Sequence, residues 1–141
     1  MAGKDYKLEL LRKVPLFEGC SGKDLELVGR LVDEVDVAAG TVLIKQGAYG
    51  HEFFIVVDGT LRVERDGKLL RKLGPGDFAG EIALIDGGVR TATVVTDTPA
   101  RLLVVGHSEF FSLLEQYPDI QIEVLQALAR RVRVSEPTGV H

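Results

Sequence analysis

The sequence predicts an α+β fold, a glycine-rich β-barrel bracketed by helical ends, and three observations lead there. Sixteen of the 141 residues are glycine, and ten of these (Gly40, Gly47, Gly50, Gly59, Gly67, Gly74, Gly76, Gly80, Gly87 and Gly88) fall within one third of the chain. Between them lie short segments rich in β-branched and aromatic residues, at the close spacing of a small all-β unit. Toward both ends the pattern changes, with leucines and valines recurring at the three- and four-residue spacing of amphipathic helices. Helix segregated from sheet is the mark of an α+β domain.

In chain order, Leu8, Leu10 and Leu11, then Leu25, Leu27, Val28, Leu31 and Val32, predict N-terminal helices, with Ser21 as an N-cap and Asp24 as a first-turn acid. Strands are expected at Thr41 to Ile44, Phe53 to Val57, Leu61 to Glu64 and Lys68 to Leu73. Asp58-Gly59 and Asp66-Gly67 are dipeptides favoured in tight hairpins, because glycine supplies the positive φ that primed turns demand. Two more strands, Thr91 to Thr96 and Ala100 to Val105, are divided by the turn Asp97-Thr98-Pro99. Ser108 is placed to cap a short helix through Phe110, Phe111, Leu113 and Leu114, and Pro118 to open a second one. That last helix carries the apolar stripe Ile120, Val124, Leu125, Leu128 and Val132, with Arg130, Arg131 and Arg133 as a solvated cationic face near its end. The length suits one domain, and 45% hydrophobic with 27% charged residues suits a buried core.

Composition also excludes. A net charge of -4 and a pI near 5.4 have the wrong sign for gripping nucleic acid. The longest apolar stretches, such as Leu102 to Val105, are far short of a membrane span, and Lys4, Asp5, Lys7 and Glu9 stand where a signal peptide would be apolar, so the expected location is cytoplasmic. Cys20 has no second cysteine to pair with and is expected to be inert, and the scattered His51, His107 and His141 have no metal-ligand spacing.

The chemistry concentrates between Gly76 and Thr93. A stretch from Glu81 to Asp86, set between glycines, has room for one and a half helical turns, and the start of such a helix offers unpaired backbone N–H groups to an anion. Gly80 lets a ligand approach the backbone, and Arg90 can bring a planar, two-pronged donor to the same anion. An acid at that helix start repels a bare phosphate, so Glu81 reads as an acceptor for a nearby hydroxyl, as on a ribose. Phosphate with hydroxyl implies a nucleotide.

This segment resembles the phosphate-binding cassette of the cyclic nucleotide-binding domain family, and the layout from about residue 8 to 134 is similar as well. The resemblance implies a glycine-rich eight-stranded β-roll, jelly-roll-like, flanked by N-terminal helices and two C-terminal helices. The boundaries it suggests are a helical N-terminus at about 5–32, the roll at about 33–105 with the cassette at 76–93, C-terminal helices at about 108–134 and a tail at 135–141. It implies that Glu81 binds the ribose 2′-hydroxyl and Arg90 the cyclic phosphate. The backbone at Gly80, Ile82 and Ala83, with Thr91, completes the phosphate cradle. Val89 departs from the proline usual before the arginine, without removing a ligand contact. Thr91 does not decide the base. Resemblance of the last helix to the bacterial catabolite activator branch sets Ser135 beside a position that touches adenine, which favours cAMP over cGMP.

Outside the cassette the chain carries no esterase elbow, phosphate loop, kinase signature or metal cluster, so binding without turnover is expected, with no cofactor beyond the nucleotide ligand. Val134 to Gly139 breaks the last helix where catabolite activators continue into a helix-turn-helix, so DNA binding in cis is not expected; the chain is either a free-standing receptor that buffers a nucleotide or passes its state to an unidentified effector protein, or a domain excised from its effector. The competing expectation is a ligand-free β-roll serving protein contacts. An enzyme acting on the nucleotide finds no nucleophile.

Overall fold

A computed structural model describes residues 4–14, 17, 20–80, 88–122, 125–126 and 129. Helices α1 (Lys4–Arg12) and α2 (Gly22–Gly29) lead into eight strands. These are β1 (Asp33–Val37), β2 (Val42–Ile44), β3 (Glu52–Asp58), β4 (Leu61–Arg65), β5 (Lys68–Leu73), β6 (Phe78–Ala79), β7 (Thr93–Thr96) and β8 (Ala100–Gly106). Helix α3 (His107–Gln116) follows, and 118–122, 125–126 and 129 are helical beyond it.

The strands form two antiparallel four-stranded sheets, ordered β1-β8-β3-β6 and β2-β7-β4-β5. They make the eight-stranded β-roll that the resemblance implies, not a closed barrel. The first sheet is the middle of three layers. Phe53 and Ile55 of β3, with Leu103 and Val105 of β8, face the helices, where they meet Leu11, Leu25, Val28, Phe110 and Leu113. Phe54, Val56, Ala100 and Leu102 point the other way, against Leu61, Val63, Leu73 and Val94 of the second sheet. Burial on both faces explains why β3 and β8 are nearly continuous apolar runs. Strand β4 has one wet face and alternates, with Leu61 and Val63 inside and Arg62 and Glu64 outside. On that outer face Arg62 bridges Glu64 and Asp97, and Lys72 reaches Asp97. Lys72, then Arg62, holds the Asp97 carboxyl below its ordinary range.

Several local expectations hold. Ser21 caps α2, its Oγ accepting from the Asp24 N–H at 3.2 Å. Asp66 and Gly67, both at positive φ, turn β4 into β5 as a two-residue hairpin. Pro118 stands at the first residue of the last helical segment.

Others are corrected. Asp58-Gly59 is no hairpin, because β3 and β4 belong to different sheets and the dipeptide carries the chain from one to the other. Its neighbour Thr60 is tied to the β7–β8 connection, donating to Thr98 Oγ1 and accepting from the Asp97 N–H. Ser108 is not the cap of α3. Strand β8 runs through Gly106 straight into the helix, leaving no loop residue for Ser108 to occupy, and Gly106 is the N-cap. Strand β7 starts at Thr93, since Thr91 and Ala92 bend. In the apolar stripe Ile120 is buried, whereas Leu125 is 63% exposed. Val124, Leu128, Val132 and Arg130, Arg131 and Arg133 lie outside the described residues.

The sheet-changing connections β1–β2, β3–β4, β5–β6 and β7–β8 gather at one end of the roll, while β2–β3 and β6–β7 cross at the other. At the first end Thr96, fully buried, joins two connections. Its Oγ1 donates to the Ala38 carbonyl at 2.6 Å and accepts from the Thr41 N–H at 2.8 Å. Thr96→Val keeps the shape and strands the Thr41 N–H, while the Ala38 carbonyl keeps its bond from Thr41 Oγ1, and leaving that donor unsatisfied costs about 1–3 kcal/mol. Urea unfolding should show a lower midpoint with an unchanged slope.

Candidate functional site

The other end of the roll holds the only buried charged side chain among the described residues, Arg90, 4% exposed. Its backbone is fixed by the loop after β2, accepting from the Gly47 N–H and donating to the Ala48 carbonyl, both at 2.8 Å. That loop is itself anchored. The Gln46 N–H donates to Thr93 Oγ1, and the Gln46 amide exchanges two hydrogen bonds with Asp66 at the β4–β5 turn.

The Arg90 side chain turns inward. Nη1 donates to the Gly80 carbonyl at 3.0 Å and Nη2 to the Glu52 carbonyl at 2.6 Å. Three segments therefore converge on one guanidinium: the start of β3, the turn after β6 and the β2–β3 loop. Gly80 is required here on two counts. Its φ is +96°, and a Cβ would fall 2.8 Å from both Arg90 Nη1 and the Glu52 carbonyl oxygen. These two bonds set the plane of the guanidinium. A guanidinium held this way suits an anion with two oxygens in one plane.

Of the residues singled out in the sequence, Gly80 and Arg90 are thus brought into direct contact. Thr91 follows Arg90 at the surface, and its carbonyl accepts from Arg65 Nε at 3.0 Å. Glu81, Ile82, Ala83 and Ser135 lie outside the described residues. Glu52 and Gly50 were not foreseen. Glu52 acts through its carbonyl, which every residue type possesses and no sequence can advertise. Gly50 was visible only as one more turn glycine.

Elsewhere the reactive groups are quiet. Cys20 packs against the helix-side core, and burial, followed by the charges of Asp24 and Asp119, pushes its thiol pKa up, away from the thiolate form. Burial likewise raises the Tyr117 hydroxyl. Among the described residues no three His, Cys, Asp or Glu side chains gather in a way that suits a metal ion, and no helix is long and apolar enough to cross a membrane.

The family model of the cyclic nucleotide-binding domain matches residues 34–117. A cyclic nucleotide-gated potassium channel of Mesorhizobium japonicum is 36% identical over 124 residues, covering 87% of this chain and 34% of the channel. A CRP-like cAMP-activated global transcriptional regulator of Mycobacterium tuberculosis is 28% identical over 130 residues, 89% of this chain and 58% of the regulator. The chain thus spans well under two thirds of these relatives. Among solved structures, the regulatory subunit of a cAMP-independent protein kinase A from Trypanosoma brucei superposes with a TM-score of 0.79 at 20% identity, over 97% of this chain and 49% of that one.

Proposed function

The chain belongs to the cyclic nucleotide-binding domain family, and from that premise we propose that it is a receptor module that binds a cyclic nucleotide reversibly, cAMP in preference to cGMP, and relays binding through its C-terminal helices. The observation that carries the reading is the buried Arg90 guanidinium, oriented by the Gly80 and Glu52 carbonyls at the mouth of the cassette. Fold alone does not carry it, since a kinase subunit named cAMP-independent shares the fold. In this reading the phosphate meets Arg90 and the backbone N–H groups of the cassette at Ile82 and Ala83, with Gly80 and Thr91 beside them. Glu81 accepts from the ribose 2′-hydroxyl, and Ser135 meets the base. The preference for cAMP is supported by the cAMP-activated regulator among the relatives. All 141 residues are read as one domain.

The relay has a physical basis at the site itself. Glu52, whose carbonyl holds Nη2, is register-paired with Gly106, the N-cap of α3. One turn on, Phe110 of α3 stacks on Phe53 with ring centroids 4.6 Å apart. Beyond α3, Ile122 and Leu125 are more than half exposed, an apolar surface that a closing movement would cover. Ligand shifts such a balance only by its differential affinity for the two arrangements.

Calorimetric titration with cAMP and cGMP side by side tests class and base together, and saturable one-to-one binding, tighter for cAMP, is expected. Arg90→Ala should weaken it by a factor of about a hundred or more, because a buried anion without its partner costs on the order of 3–5 kcal/mol. No binding by the unmodified protein would leave a ligand-free β-roll serving protein contacts.

Glu81→Ala should weaken binding about ten- to hundredfold, the value of a hydrogen bond to a charged group. The loss should largely vanish when the ligand is a 2′-deoxy cyclic nucleotide. Equal loss with both ligands would remove Glu81 from the ribose.

Hydrogen exchange with and without cAMP should show added protection from about Phe110 to Val134, with the strands little changed. Protection confined to residues 80–93 would describe a binder without a relay.

A further inference from the structure

Gly50, in the β2–β3 loop, is a glycine for want of room and not of conformation. Its φ is not in the left-handed region, so its backbone accepts an L-residue. Yet the three heavy atoms nearest an ideal Cβ there all belong to the Arg90 guanidinium, with Nη2 at 2.5 Å and Cζ at 2.8 Å. The guanidinium thus lies against two glycine Cα atoms, Gly50 and Gly80, in space that any side chain would take.

We propose that Gly50 is a positioning residue of the anion site: its missing side chain leaves the space in which Arg90 aligns on the Glu52 and Gly80 carbonyls. The inference rests on the cyclic nucleotide reading for its effect on affinity, but not for its geometry. The three atoms that a methyl group at position 50 meets first are the far end of a flexible side chain, so the fold accommodates it by moving the guanidinium. That movement gives up the 2.6 and 3.0 Å carbonyl bonds and the planar presentation a bidentate anion needs. Stability is little affected and recognition is lost, the reverse of what a purely structural glycine would show.

The test uses the full chain with Gly50→Ala, Arg90→Ala, the double variant, and Gly74→Ala as a control, since Gly74 has nothing within 4 Å of its Cβ position and no left-handed φ. Gly50→Ala should weaken cAMP binding at least about tenfold while the thermal midpoint moves by no more than about 4 °C, the shift roughly 1 kcal/mol produces in a domain of this size. Gly74→Ala should bind like the unmodified protein. Added to Arg90→Ala, Gly50→Ala should cost no further affinity, because the atoms it displaces are gone. Should Gly50→Ala fail to fold, a folded double variant supports the inference and an unfolded one overturns it. The second readout needs no ligand. The Arg90 Nε–H resonance, assigned by its disappearance in Arg90→Ala, should exchange slowly in the unmodified and Gly74→Ala proteins and rapidly in Gly50→Ala. An unshifted, slowly exchanging resonance in Gly50→Ala, or a folded Gly50→Ala protein that matches the unmodified one in affinity, overturns the proposal. If the unmodified protein binds neither cAMP nor cGMP, the functional reading fails, and the resonance alone decides the role of Gly50.

Discussion

The bonds from the Arg90 guanidinium to the carbonyls of Glu52 and Gly80 are the constraint on which this end of the molecule depends. A buried cation is tolerated only where polar partners converge, and convergence requires three chain segments to approach closely. That requirement dictates Gly80 at positive φ, the bareness of position 50 and the backbone pairing of Arg90 with Gly47 and Ala48. It also dictates why the loop is anchored by Gln46 to β7 and to the β4–β5 turn, since a loose loop would not hold the arginine in register.

The roll divides this labour between its ends. At one, Thr96, Thr60 and Thr98 knit the sheet-changing connections together. At the other, the crossings β2–β3 and β6–β7 supply the site. Between them β3 and β8 are buried on both faces, packed by the helices on one side and the second sheet on the other. A strand so enclosed transmits position faithfully and yields little. The carbonyl of Glu52 is therefore a fixed reference for the guanidinium.

Much of this was legible in the sequence wherever a local physical rule has a residue signature. Ser21 before an apolar period, Asp66-Gly67 between strands, and Gly80 with Arg90 ten residues on each carry such a signature. What the sequence hid were pairings. Asp58-Gly59 has the chemistry of a hairpin, yet the choice between a hairpin and a crossing is made by which strands pair, a long-range matter. Strand β1, Asp33-Glu34-Val35-Asp36-Val37, is too acidic to be conspicuous as a strand, and it is held by β8 across its whole length and by Arg101 on Asp36. Ser108 has the chemistry of a cap, but the helix begins at His107, directly after β8, and takes Ser108 into its first turn. At the site, a carbonyl as partner and a glycine valued for empty space leave no mark in composition or spacing.

The bonds to Glu52 and Gly80 fix the plane of the Arg90 guanidinium against β3, a strand packed on both faces. On the proposed reading, phosphate capture at so rigid an element offers little to distinguish two arrangements of the chain. Whatever differential affinity drives a switch has to come from parts of the nucleotide beyond the phosphate and from surface that is uncovered without it. Ile122 and Leu125 are such surface, on the segment that follows α3, whose N-cap is paired to Glu52. On the proposed reading, recognition resides in the rigid end of the roll, and the response in the helices that follow it.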